Sequence, residues 1–145
     1  EEDAGLLRQY ADHMNRDGYV FISAPAFQFL WSGHDVFLEH YRRYTKGSIE
    51  RLVRTAGLKP LRTRYFFASL FPVVALVRFS QRILLNRGVL EAKSQLTPYP
   101  RWLNEALIVL HDIERRTLFR VNSFFGLSVF CLCQKVGSRS SSGIA

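Results

Sequence analysis

The sequence lacks several features that would assign a protein class directly. It contains no run of about 18 apolar residues, which excludes an ordinary transmembrane helix. Its acidic start, Glu1 to Asp3, is unlike a secretory signal peptide. The nine glycines never form a Gly-x-Gly pattern, so no glycine-rich loop that would hold a nucleotide can be identified. The length of 145 residues and 48% hydrophobic content are sufficient for one domain, or part of one.

Cysteine is also scarce. Cys131 and Cys133 are the only two, and they lie in a strand-like run. Residues two apart on a strand share a face, and ordinary strand geometry does not bridge them. A lone Cys-x-Cys without further ligands is a poor metal site. We predict two buried, reduced core thiols, which fits a reducing, cytoplasmic compartment.

Acidic residues are missing from a long central block. No Asp or Glu lies between Arg51 and Leu90, and the net charge of the whole chain is +8. Such a block faces water, an anionic partner or a membrane surface. One open function is therefore a non-catalytic basic module that binds nucleic acid or a membrane surface. Nucleic acid is the disfavoured partner, because the block is apolar and no RNA-binding motif appears.

Hydrophobic periodicity predicts helices and strands in the order α-β-α-β-α-α-β. The expected strands are Tyr19–Ser23, Leu58–Phe67 and Leu127–Gln134, and the last is apolar enough to be central. Helices are expected at residues 3–14, 45–56, 68–87 and 97–120, with Thr45 as an N-cap and Gly57 at a helix end. A serine- and glycine-rich tail, 137–145, is expected to be disordered.

The segment Tyr65–Arg87 joins a short apolar run to an amphipathic helix. Val73, Leu76 and Val77 share one helical face, whereas Arg78 and Arg82 project from another. Two alternatives stay open for this segment. It is a helix at a membrane surface, with its arginines among anionic headgroups, or a lid over an acceptor pocket, packed against residues 103–118.

A polar, aromatic loop from Ala24 to Tyr44 follows the first strand, where open α/β sheets place ligands. It contains three candidate catalytic residues. His34 and His40 are candidate general bases, since histidine titrates near neutral pH, and Asp35 could orient an imidazole or bind an acceptor hydroxyl. The alternative is that both histidines only fix the loop through hydrogen bonds. A metal site from these three side chains is not supported by their spacing.

Four further side chains of the loop are candidates for substrate binding: Trp31, Arg42, Arg43 and Tyr44. The guanidinium groups could hold a carboxylate or a phosphate, because their fork geometry matches both. Alternatively, the arginines pair with Glu39 or Asp35, and the tryptophan fills the core.

Three motifs together are specific enough to indicate a family. Residues 18–26 read GYVFISAPA, residues 30–35 read LWSGHD, and residues 40–45 read HYRRYT. This series resembles the C-terminal half of class I S-adenosylmethionine-dependent methyltransferases, and in particular a subset with LWSxHD and HxRRY motifs. The resemblance covers about residues 4–136.

The resemblance implies a Rossmann-like, seven-stranded sheet of which this chain forms the C-terminal half. Its three strands would be the fifth, sixth and seventh, with the seventh antiparallel between the other two. Residues 1–136 would be the acceptor-side part of the domain, and the cofactor would be S-adenosylmethionine. The acceptor is not identified: the loop arginines indicate an anionic small molecule, and a membrane-bound Tyr65–Arg87 segment would indicate a lipid-like one. The family's glycine-rich cofactor loop has no counterpart here, so we expect an inactive fragment whose exposed sheet edge favours self-association.

Overall fold

The computed structural model of the chain describes residues 2–38, 41–86 and 100–136; of residues 33, 34 and 82–86 only the backbone is considered. The architecture is mixed α/β. Its strands are β1 (Tyr19–Pro25), β2 (Leu58–Phe66) and β3 (Ser128–Lys135). Its helices are α1 (Glu2–His13), α2 (Gly33–Phe37), α3 (Lys46–Thr55), α4 (Phe71–Asn86) and α5 (Arg101–Arg116). The predicted tail, 137–145, lies outside the described residues.

The three strands form an open sheet in the order β1-β3-β2. Strand β3 is antiparallel to both neighbours, with Val20 opposite Cys133 on one side and Thr63 opposite Cys131 on the other. The prediction that the last strand is central and antiparallel is therefore confirmed. Since β1 and β2 run in the same direction, their C-terminal ends lie at the same end of the sheet, opposite Ser128.

The core lies between one face of this sheet and the helices α1 and α3. Alternate residues of β3 point into it, as the two-residue period of a strand requires. Val129, Cys131 and Cys133 are fully buried there, together with Ile49 and Val53 of α3. Both thiols are free, as predicted. The neighbouring thiol of Cys131, and burial, raise the pKa of Cys133 above its usual range.

Local sequence signals fix both ends of α3. The Thr45 hydroxyl accepts a hydrogen bond from the Ser48 backbone N–H at 3.2 Å, and the Ser48 hydroxyl accepts one from the Thr45 N–H at 2.8 Å, which forms a capping box. Gly57, after the helix, has a φ of 79°, a conformation that favours glycine. Both predictions for this helix are confirmed.

Helix α4 turns its apolar face outward. Leu76 is 69% exposed, and Val73, Val77 and Phe79 are also exposed, whereas Arg78 points inward. Among the described residues, the apolar face of α4 therefore does not pack against α5, as the lid alternative required. The apolar residues of α5 are likewise mostly exposed, while Glu114 is buried and accepts hydrogen bonds from the Ala68 and Ser69 N–H groups. No described helix is long and apolar enough to cross a bilayer.

Candidate functional site

The segment that follows β1 is a loop with a closed base: backbone hydrogen bonds join its first residues to its last. The Phe27 N–H donates to the Tyr44 carbonyl at 3.0 Å, and the Tyr44 N–H donates to the Pro25 carbonyl at 2.8 Å. Ala26 and Tyr44 thus form a parallel bridge. The segment leaves the sheet at the C-terminal end of β1 and returns beside the same point. Its side chains therefore stay near that end of the strand.

The loop also contains short helical elements that the sequence pattern did not reveal. A 3₁₀ turn spans Gln28–Leu30, and α2 follows at Gly33–Phe37. Phe27, before the turn, has a φ of 57°, which is rare for an aromatic residue and costs about 1–3 kcal/mol. Its ring stacks on Tyr65 of β2 with a centroid distance of 4.9 Å, and this packing helps to hold the strained backbone.

Asp35 is the buried centre of the loop. Its carboxylate accepts hydrogen bonds from the Ser32 N–H at 2.9 Å and the Ser32 hydroxyl at 3.2 Å. It also accepts two from Arg43, whose Nε and Nη2 donate at 2.9 Å each. Paired donors of this kind are among the strongest hydrogen bonds in proteins. Arg43 donates further to the Ala26 carbonyl at 3.0 Å, so one ion pair connects α2 to both ends of the loop.

A second guanidinium approaches the same carboxylate from α4. Arg78 Nη1 lies 3.8 Å from Asp35 Oδ2, the Arg78 side chain is only 14% exposed, and its Nη1 has no hydrogen-bond partner within the part of the chain that the structure describes. Burial, followed by the charge of Arg43, lowers the pKa of Arg78, while Asp35 opposes that change. Two buried cations therefore share one carboxylate among the described side chains.

Two of the other predicted substrate-binding residues, Arg42 and Tyr44, contact a different carboxylate. Arg42 Nε lies 3.0 Å from Asp3 of α1, and the Tyr44 hydroxyl donates a hydrogen bond to the same Asp3. Burial, and then the hydrogen bond to Asp3, raise the pKa of Tyr44 to about 12. Trp31 is half-buried at the end of the 3₁₀ turn. Of the four candidates, Arg43 is the one for which an ion pair with Asp35 is described.

The predicted catalytic residues are only partly described. His34 lies in α2, one residue before Asp35, and His40 lies outside the described residues. Their roles and that of Asp35 stay predictions. Within the described part of the chain, no group of three or more acidic, histidine or cysteine side chains could hold a metal ion.

Sequence reasoning did not connect Arg78 and Ser32 to this site. Arg78 lies 43 positions beyond Asp35, and no local periodicity relates the two residues. One signal was present nevertheless. Arg78 lies on an apolar helix inside a block without acidic residues, so any carboxylate that pairs with it must come from another part of the chain.

Comparison with known proteins gives no assignment: no protein-family model matches the chain, and no curated protein matches it.

Proposed function

We propose that the chain is the acceptor-side part of a class I S-adenosylmethionine-dependent methyltransferase that methylates a small anionic or lipid-like acceptor. One observation carries the proposal: the last strand is antiparallel and central, and a polar loop with a closed base stands at the end of β1. This is the arrangement that the resemblance implies for the C-terminal half of a Rossmann-like methyltransferase sheet. A ligand at this strand end also agrees with the general rule for open α/β sheets.

The charge balance of the loop supports an anionic acceptor. Among the described side chains, Arg43 and Arg78 place two largely buried cations beside the carboxylate of Asp35, and Arg78 Nη1 lacks a hydrogen-bond acceptor. A buried, unsatisfied donor is costly, and a carboxylate or phosphate that enters beside Asp35 would supply the acceptor atom. In this proposal Asp35 and Arg43 position the loop, and Arg78 binds the acceptor.

The residues of this chain do not fit the cofactor itself. Strand β1 ends in Ala24-Pro25 and is followed by Ala26-Phe27, and the sequence has no Gly-x-Gly. Bound S-adenosylmethionine supplies an electrophilic methyl group; what this chain would contribute is the acceptor pocket. His34 or His40 would take the proton of an acceptor hydroxyl or amine, a contribution of about 10²–10⁴ in rate.

The proposal is tested with the coding sequence that precedes Glu1. We expect a strand followed by a glycine-rich loop there, and we expect the longer protein to bind S-adenosylmethionine by calorimetry. In that protein, His34→Asn or His40→Asn should slow transfer of a labelled methyl group without changing cofactor affinity, whereas His13→Asn on α1 serves as the control. A longer protein without cofactor affinity would overturn the proposal.

We further propose a cytoplasmic protein that contacts the inner surface of the membrane through α4. The exposed Val73, Leu76, Val77 and Phe79 support this, since such a face suits the acyl boundary of a bilayer. Arg78 is buried against Asp35, so it would contribute little of the roughly 1 kcal/mol that a surface arginine gives near anionic lipids.

Vesicle flotation tests this contact. Leu76→Ser should reduce recovery with anionic vesicles at low salt, whereas Leu6→Ser, at an exposed position on α1, should not. Equal recovery of the two variants would remove the support for attachment through α4.

A further inference from the structure

The sheet face opposite the core carries aromatic side chains beside two arginines of β2. Phe21 of β1, Leu132 of β3 and Arg62 of β2 are register partners across the three strands. Phe130 and Arg64 form the neighbouring pair. Because alternate residues of a strand share a face, all five side chains lie on the same side of the sheet.

A shallow groove follows this face. It consists of two adjoining depressions of about 160 and 180 Å³, which share Phe21, Phe119 and Phe130 as lining residues. The first is completed by Phe66 and Arg115, and the second by Arg62, Arg64 and Leu132. The groove therefore has an apolar floor, and the side chains of three arginines border it, mainly through their apolar stems.

The aromatic floor is ordered by ring packing. Phe21 and Phe130 stack with a centroid distance of 5.3 Å, and Phe119 packs edge-on against Phe130 at 5.8 Å and against Phe66 at 5.2 Å. Phe21 nevertheless remains 62% exposed. An exposed apolar surface of this kind commonly marks a binding site.

The arginines beside the floor are held by the backbone of the turn after α5. Arg62 Nη2 and Arg64 Nε both donate to the Arg120 carbonyl, at 2.9 and 3.1 Å, and Arg64 Nη1 donates to the Ser123 hydroxyl at 3.1 Å. These bonds orient both groups and use only part of the five N–H donors that each guanidinium has. Arg115 forms an ion pair with Asp112. The net positive charge of the lining therefore comes from Arg62 and Arg64.

We propose that this groove binds a fatty-acid-like monocarboxylate. Its alkyl chain would lie along Phe21, Phe119 and Phe130, and its carboxylate would accept hydrogen bonds from Arg62 and Arg64, whose fork geometry suits that group. A flexible chain fits a shallow groove that continues across two depressions. The site is separate from the loop after β1 and does not depend on the proposed methyltransferase function.

Two other occupants are less compatible with this face. A second copy in a two-fold contact would bring two positively charged faces together, which is unfavourable. Single-stranded nucleic acid needs free aromatic faces on which bases stack, but Phe21 and Phe130 already stack on each other.

Calorimetric titration with three ligands of equal chain length tests the proposal. Each is used below its critical micelle concentration or, for the alcohol, below its solubility limit. Dodecanoate should bind at least about tenfold more tightly than dodecanol or dodecyltrimethylammonium, because only the carboxylate forms charge-assisted hydrogen bonds with the arginines. Equal affinity for all three ligands, or no binding of dodecanoate, would overturn the proposal.

Variants of the intact chain locate the site. Arg62→Gln and Phe21→Ser should each weaken dodecanoate binding about tenfold or more, whereas Arg51→Gln on α3 and Tyr10→Ser on α1 should leave it unchanged; far-UV circular dichroism checks that each variant folds. A concentration-dependent dimer that Phe21→Ser abolishes, without dodecanoate binding, would assign the face to a second copy. Salt-sensitive binding of an oligonucleotide that Arg62→Gln weakens, without dodecanoate binding, would assign it to nucleic acid.

Discussion

At the scale of single residues, one buried carboxylate organises the candidate site. Asp35 receives hydrogen bonds from Ser32 and Arg43 and lies 3.8 Å from the Arg78 guanidinium of α4. A charge in such a position is tolerated only when its partners compensate it, so removal of one member leaves the others uncompensated. The geometry of the whole loop therefore depends on this side chain.

We expect Asp35→Asn to destabilise the protein by about 3–5 kcal/mol, because two guanidinium groups would stay buried without their counter-charge. The free energy of unfolding in urea measures the effect. Asp12→Asn, at an exposed position on α1, is the matched control and should change it by less than about 0.5 kcal/mol. A similar, small effect of both substitutions would show that the Asp35 network contributes little to stability.

Tyr44 should titrate unusually late. Burial and Asp3 raise its pKa to about 12, whereas an ordinary tyrosine has a pKa of about 10. The neutral phenol is favoured in the folded state, so its contribution to stability is fully present below about pH 10 and is lost as the pH rises through about 12.

Absorbance titration of tyrosinate, with Tyr44→Phe to assign the signal, measures this pKa. Asp3→Asn removes the negative charge beside the phenol and weakens its hydrogen bond, so it should lower the pKa of Tyr44 partway, since burial remains. An unchanged titration in Asp3→Asn would mean that burial alone sets the pKa.

At the scale of the elements, helix α4 shows where the sequence stops being informative. Its periodicity predicts a helix with an apolar face and a basic face, and the helix and its apolar face are observed. Periodicity does not say which face turns inward. Here Arg78 turns inward because Asp35 lies beneath it, and Leu76 turns outward. In contrast, α3 is predictable at both ends, because Thr45 and Gly57 act within one turn of the helix.

Two glycines should respond to alanine in opposite directions. A Cβ on Gly126 would collide with the Phe66 carbonyl, which accepts the Leu127 N–H at 2.9 Å, so Gly126→Ala should cost roughly 1–3 kcal/mol. Gly47, in α3, has open space around it, and Gly47→Ala should stabilise by about 0.5–1 kcal/mol through helix propensity. Thermal unfolding of both variants checks the signs, and a tolerated Gly126→Ala would mean that the loop before β3 can shift.

At the scale of the whole molecule, strand composition was sufficient to predict the sheet order, whereas the site was only partly predictable. The run from Ser128 to Lys135 is apolar enough to require neighbours on both sides, which made β3 central. The Asp35–Arg43 pair was foreseen as one alternative, because the two residues lie in one loop. The contact with Arg78 depends on tertiary packing between distant segments; the sequence indicates only that a carboxylate partner must come from outside the acid-free block, not which carboxylate it is.

Strand β1 leaves one edge of the sheet uncovered. Among the described residues it pairs only with β3 along its length, and Tyr19 is 64% exposed. Open edges favour association, so we expect concentration-dependent oligomers by light scattering. Tyr19→Lys should suppress them, since lysine on an edge strand opposes further pairing, whereas Tyr10→Lys, at an equally exposed position on α1, should not. A clean monomer of the unsubstituted chain at high concentration would contradict this expectation.

The central position of β3 also has a consequence for biosynthesis. Strands β1 and β2 do not pair with each other, and each requires β3, whose Cys133 lies 113 positions after its register partner Val20. Translation must therefore pass β3 before the ladders of β1 and β2 with this strand can form. Until then β1 and β2 lack this common partner in the nascent polypeptide, a situation that slows folding and favours capture by chaperones.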